Sequence, residues 1–218
     1  MMAKKKIFIS SAQIEFQKER IALHAYLNAD PLLGKFFEPF LFELFPASDQ
    51  SAQMLYLKEV EQCDIYLGLF GKSYGYQNAD GKSPTEMEFD HASFHHKTRL
   101  IFLTTHDSNE REAKEQSLIK KAEHFVVRKK FSHVDDLKAT VYASLVRYLI
   151  DKEVIRIGPF DASFSEKATF PDLDDEKIKR FVRIAQSRRG FALSDSEPIS
   201  SILTHLNLIE NAKLTHAA

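Results

Sequence analysis

Cys63-Asp-Ile-Tyr-Leu-Gly-Leu-Phe-Gly-Lys-Ser-Tyr-Gly-Tyr76 and, after a polar loop, Ser83-Pro-Thr-Glu-Met-Glu-Phe-Asp-His-Ala92 decide how this chain is read. Asp64–Phe70 is a short apolar run stopped by Gly71, the pattern of a strand buried on both faces. Gly71 and Gly75 keep side-chain bulk away from the backbone of the loop that follows. Ser83 suits an N-cap and Pro84 the first helical position, so a helix starts there. Glu86 stands at capping-box spacing from Ser83, and Glu88 lies further into the helix. A strand, a glycine-bearing loop and a helix with carboxylates therefore follow one another. In open parallel sheets ligands bind outside the carboxyl ends of the strands, where such loops lie.

Strand and helix patterns alternate on both sides of this unit. Lys6–Ser11 reads as a first strand ending in two hydroxyls, and Gln13–Asn28 as a helix with an apolar stripe of Ile14, Phe16, Ile21, Leu23, Ala25 and Leu27. Phe36–Leu44 reads as a second strand, at an edge because Pro39 cannot donate to a central ladder. Ser48 or Asp49 would cap a helix over Ser51–Gln62 that buries Met54, Leu57 and Val60. The third strand and a helix over Ser83–Lys97 follow. Arg99–Thr105, Asn109–Lys121, His124–Val127 and Asp135–Ile150 continue as strand, helix, strand and helix. The expected architecture is α/β: a flavodoxin-like, five-stranded parallel sheet in the order 2-1-3-4-5 with helices on both faces. Residues 1–150 would form this domain, 151–173 a linker rich in Ser, Asp and Pro, and 174–218 a small helical extension. Val154–Ile157 allows one more short strand, Asp174–Arg189 reads as a helix closed by Gly190, and Glu197–Leu206 as a shorter one.

Composition narrows the function. With 30 basic and 31 acidic residues the chain lacks the basic excess of a non-specific nucleic-acid binder, and no direct nucleic-acid contact is expected. The single cysteine, Cys63, rules out a disulfide within the chain and fits a reducing, cytoplasmic setting; its place before a buried strand favours packing over reactivity. No apolar run reaches the roughly 20 residues that span a bilayer, so no membrane partner is expected.

Lys6-Ile-Phe-Ile-Ser-Ser11 with Glu19-Arg20, Cys63–Gly71 with Tyr74-Gly75, and Ser83–Phe89 with Ala92 together resemble a bacterial TIR-like domain catalogued as of unknown function. The likeness spans about Lys6–Leu103, and the domain is similar to Toll/interleukin-1 receptor and nucleoside deoxyribosyltransferase domains. In both, a catalytic glutamate on the helix after the third strand stands four residues before a small residue; here that is Glu88, before Ala92. The resemblance implies a nucleotide-processing or nucleotide-sensing domain, with hydrolysis of the N-glycosidic bond of an NAD-type nucleotide as the activity. That nucleotide would be substrate rather than cofactor, and sites shared between subunits imply self-association. The alternative is a non-enzymatic signalling or protein-interaction module. Ala168–Ile178, Leu203–Leu208 and Leu214-Thr-His-Ala-Ala218 resemble part of predicted transcriptional regulators related to the helicase RecG. That second resemblance implies a truncated downstream module and places the alternative in a RecG-related regulator.

Each candidate residue has a bland reading beside its functional one. Glu88 could stabilise an oxocarbenium-like ribosyl centre, with the helix N-terminus keeping it ionised, or could simply complement the helix dipole. Ser10 and Ser11 could hold a phosphate or ribose, or cap the next turn. Gly71, Tyr74 and Gly75 could floor and wall a base site, or form a tight turn. Ser83 and Glu86 would border the same site. Arg20 beside Glu19 favours a surface ion pair over a phosphate clamp. Glu88, His91 and His95 share a helical face, but without a second matching pair solvated histidines are preferred and no metal is expected.

Overall fold

The computed structural model describes residues 3–46, 49, 51–155, 158–165, 167–190 and 192–218. Five strands, β1 Lys5–Ser11, β2 Phe37–Phe40, β3 Ile65–Phe70, β4 Thr98–Thr104 and β5 Arg128–Phe131, form one sheet in the order β2-β1-β3-β4-β5. Every pairing in it is parallel. β3 sits at the centre with all six residues buried, as its unbroken apolar run requires. Ser10 of β1 stands beside Gly68 and Ser11 beside Leu69, which brings both hydroxyls to the carboxyl edge of the sheet.

The edges depart from the sequence expectation. β2 is only four residues long, Pro39 pairs with Ile7 on the outermost strand, and a 3-10 turn at Phe42–Leu44 replaces the rest of the expected strand. The fifth strand is the charged Arg128–Phe131 rather than His124–Val127, whose Phe125 and Val127 remain exposed. An edge strand needs no apolar run on both faces, and charged residues discourage further pairing there.

The helices are α1 Gln13–Ala29, the short α2 Leu33–Phe36, α3 Ala52–Gln62, α4 Pro84–Phe94, α5 Ala113–Glu123 and α6 Val134–Asp151. Side chains from α3, α4 and α5 pack with Phe8, Tyr66, Phe70 and Ile101 into one core. On the other face Phe16 of α1 meets Phe131 at 6.2 Å and Tyr148 of α6 meets Phe37 at 6.1 Å. The buried line of α1 is Phe16, Arg20, Leu23 and Leu27; Ile14 and Ile21 of the expected stripe face solvent. α3 buries Leu55, Tyr56, Glu59 and Val60 and leaves Met54 outside. Both offsets arise because several registers of an apolar-rich helix satisfy a 3.6-residue period, and the packing partner selects one. Ser51 caps α3, accepting the Met54 N–H at 3.2 Å; Ser48 lies outside the described residues. α5 begins later than expected, because the 3-10 turn Ser108–Glu110 and its capping box occupy the first positions. Cys63 is buried, and burial pushes its thiol up to about 11.

The chain divides into two compact units, Met1–Tyr148 and Leu149–Ala218. The second holds α7 Asp175–Arg189, α8 Ile199–His205 and a two-stranded antiparallel ribbon of β6 Ile209–Glu210 and β7 Lys213–Leu214. Asp174 caps α7 through the Lys177 N–H, and Gly190 ends it with φ of 62°. Val182, Leu193, Ile202, Leu203 and Leu214 form its small core. Within the expected linker, Ser163 and Ser165 hydrogen-bond to His216 and Leu214, both at 2.8 Å. Val154 and Ile155 form no strand, and residues 156 and 157 lie outside the description. No helix of the described residues is long and apolar enough to cross a membrane.

Candidate active site

Successive side chains of a strand point to opposite faces, and β1 uses this to split its two serines. Ser10 turns toward α4 and donates its hydroxyl hydrogen to the Glu88 carboxylate. Ser11 turns toward α1 and accepts from Arg20 Nη1 at 3.1 Å. The loops after β1 and β3 and the first turns of α3 and α4 then enclose a cavity of about 600 Å³ at the carboxyl edge of the sheet. Its lining includes Ser11, Arg20, Tyr56, Gly75, Tyr76 and Glu88.

α4 delivers Glu88 because its start is fixed. Ser83 accepts the Glu86 N–H at 3.2 Å and Pro84 occupies the first turn. From that origin, Thr85, Glu88, Phe89 and Ala92 form the buried face of the helix. Glu88 is 8% exposed, and among the described residues Ser10 is its one hydrogen-bond donor. Ser10 in turn accepts from the fully buried Tyr66 hydroxyl at 2.9 Å. Burial pushes the Glu88 carboxyl up to about 7, against the Ser10 hydrogen bond and the Arg20 charge, which favour the ionised form. The expectation that the helix N-terminus keeps this group well ionised is therefore corrected: burial raises the carboxyl instead. Near neutrality the carboxyl can occupy either protonation state, as a nucleophile, charge stabiliser or proton-transfer group requires.

Arg20 is not on the surface. It is 2% exposed and pairs with Glu43 through two bonds, Nε–Oε1 at 2.5 Å and Nη2–Oε2 at 2.6 Å. Nη1 also donates to the Ile9 carbonyl at 3.1 Å. Desolvation works to raise the Glu43 carboxyl, but Arg20 holds it below its ordinary value. Its partner is thus Glu43, which follows β2, not the adjacent Glu19. The sequence did contain a signal: Arg20 falls on the line Phe16, Leu23, Leu27 at spacings of four, three and four.

The other sequence candidates separate into two groups. Tyr74 and Gly75 join Ser11 and Glu88 on the cavity wall, and Gly75 adopts φ of +85°, which a glycine tolerates. Tyr74 is almost fully buried; its hydroxyl donates to Glu86 and accepts the Ser83 N–H at 3.1 Å. Ser10, which reaches the site only through its bond to Glu88, stands outside the cavity lining with Gly71, Ser83 and Glu86. The Gly71 N–H meets Glu115 at 3.1 Å, and a Cβ there would lie 2.1 Å from the Glu15 carboxylate. Glu86 is engaged by Tyr74 and by Lys121 at 3.0 Å. Glu15 pins the loop by accepting the Lys72 and Ser73 N–H groups at 2.8 and 2.9 Å. Among the wall residues that had no place in the sequence reading of the site are Tyr56 and Tyr76, the latter 81% exposed. Nothing in spacing alone marks a loop tyrosine of this kind. Glu88 faces Ser10, so it does not share a donor cluster with His91 and His95.

A family described as a domain of unknown function (DUF4062) matches residues 6–146. No curated protein matches the sequence. Among solved structures, the CMP N-glycosidase BcmB of Clostridium botulinum is similar over 65% of this chain and 99% of its own, with 15% identity and a TM-score of 0.41. A likeness that slight carries no weight for function.

Proposed function

The chain belongs to the DUF4062 family, and from that premise we propose that it cleaves the N-glycosidic bond of a nucleotide, with Glu88 as the catalytic carboxylate. The observation that carries this reading is the buried Glu88, held by a hydrogen bond from Ser10, on the wall of a cavity at the carboxyl edge of the sheet. A volume near 600 Å³ lies inside the range of small-molecule pockets, about 300–1,000 Å³. Tyr56 and Tyr76 offer aromatic surface to a base, and the Ser11 hydroxyl and the loop at Ser73–Gly75 offer polar contacts to ribose and phosphate.

NAD-type nucleotides suit this site because their leaving group needs no proton. The C1′–N bond breaks with its electron pair going to the base, so a cationic nicotinamide leaves neutral. The positive charge left on the ribosyl centre is stabilised by ionised Glu88, which Ser10 holds in place. Water then adds its oxygen to C1′ and releases a proton to solvent. Self-association belongs to the same reading, so the assay is run at high protein concentration with a crowding agent.

The test incubates the purified chain with NAD and, in parallel, with nucleoside monophosphates, and measures free base by chromatography. Release of base that disappears in Glu88→Ala and persists in Glu86→Ala supports the proposal. No release from any of these nucleotides, with binding retained by calorimetry, favours the sensing module instead. Equal loss in both variants would overturn the assignment to Glu88.

A further inference from the structure

The same helix that carries Glu88 ends in a second cluster. His91 lies in the last turn of α4 and His95 caps it one turn later, so both imidazoles project from one face with ring centroids 4.4 Å apart. Glu61, in the last turn of the neighbouring α3, completes the group. The donor atoms of the three side chains all lie within 4.8 Å of one another. From this convergence we infer that Glu61, His91 and His95 bind a divalent transition-metal ion of the zinc class.

Two observations support it. First, the geometry is nearly closed: tetrahedral zinc with ligands at about 2.0–2.2 Å places donors roughly 3.3–3.6 Å apart. The exposed Glu61 side chain can make that adjustment by rotating. Second, His91 Nε2 is buried and has no hydrogen-bond partner among the described residues. An unpaired buried nitrogen is costly, and a metal ion is the ligand that takes its lone pair without needing a hydrogen. Two imidazoles and a carboxylate select zinc, cobalt or nickel over calcium or magnesium, which prefer all-oxygen shells. Three protein ligands leave a fourth position open. The ion would tie the end of α3 to the end of α4, whose opening turns contribute Tyr56 and Glu88 to the cavity.

The experiment strips the purified chain with EDTA, titrates it with Co²⁺ while following visible absorption, and then displaces Co²⁺ with Zn²⁺. One equivalent is expected to bind, and saturating Zn²⁺ raises the melting temperature by about 5 °C. His95→Ala and Glu61→Gln each weaken binding by at least about tenfold and abolish the Zn²⁺-induced rise. Neither change removes a fully buried side chain, so both variants remain readable if His91→Ala fails to fold. Absence of stoichiometric binding, or binding unchanged in His95→Ala and Glu61→Gln, overturns the inference. The outcome is independent of whether the cavity cleaves nucleotides.

Discussion

Glu88 at the cavity and Glu115 at the start of α5 are two buried acids with opposite surroundings. Burial pushes Glu88 up to about 7 and Glu115 up to about 8. Glu115 accepts the Gly71 N–H at 3.1 Å, with the Arg111 guanidinium also lowering its value, and it stands outside the cavity lining. Glu88 has one hydroxyl donor and a cavity in front of it. A raised carboxyl therefore reports desolvation in both places, and only the neighbouring space turns it into a candidate for chemistry. Glu86, two residues from Glu88, sharpens the point: Lys121 and Tyr74 engage it, and it stands outside the lining.

The strongest way to break this comparison is activity. Glu88→Gln should lower kcat/KM for nucleotide cleavage by about a thousandfold, and Glu115→Gln by less than about threefold. Equal losses would dissolve the distinction. The pH profile comes next. If ionised Glu88 is the working form, kcat/KM falls tenfold per unit below about 7, roughly a hundredfold by two units lower, and is flat above. Glu115→Gln should leave that midpoint in place. Ser10→Ala should move it upward, because the lost hydrogen bond favoured the carboxylate.

Stability gives a smaller effect that both acids share. Their folded-state values lie above the ordinary 4.5, so the native state holds its protons more tightly than the unfolded chain. Stability is then fullest below that ordinary value, and is lost as pH rises through about 7 for Glu88 and about 8 for Glu115. Denaturation above both values should show Glu88→Gln and Glu115→Gln each more stable than the parent chain, Glu115→Gln by the larger margin. Below the ordinary carboxylate value the difference should vanish. The smallest expected effect concerns position rather than charge: Ser83→Ala removes the cap that starts α4 and should cost about 1 kcal/mol in urea unfolding.

Local pattern was enough for the frame. The apolar run at β3, the Ser83-Pro84 start of α4, the edge position of Pro39 and the sheet order are all legible in spacing and turn residues. So was the placing of Ser11, Tyr74, Gly75 and Glu88 near the ends of strands and helices. The charged β5 was not legible, because an edge strand is defined by its neighbour and needs no apolar signature. Nor was the Arg20–Glu43 pair, which joins α1 to the turn after β2 across 23 residues.

The chain's order of elements and the helix face carrying Glu88 follow from short-range chemistry: periodicity, capping and the fixed φ of proline act over a few residues. The protonation of Glu88, the enclosure of its cavity and the meeting of Glu61 with His91 and His95 are set by groups distant in sequence. Each depends on the dielectric and the partners that packing creates, and those exist only once the sheet and its helices have assembled.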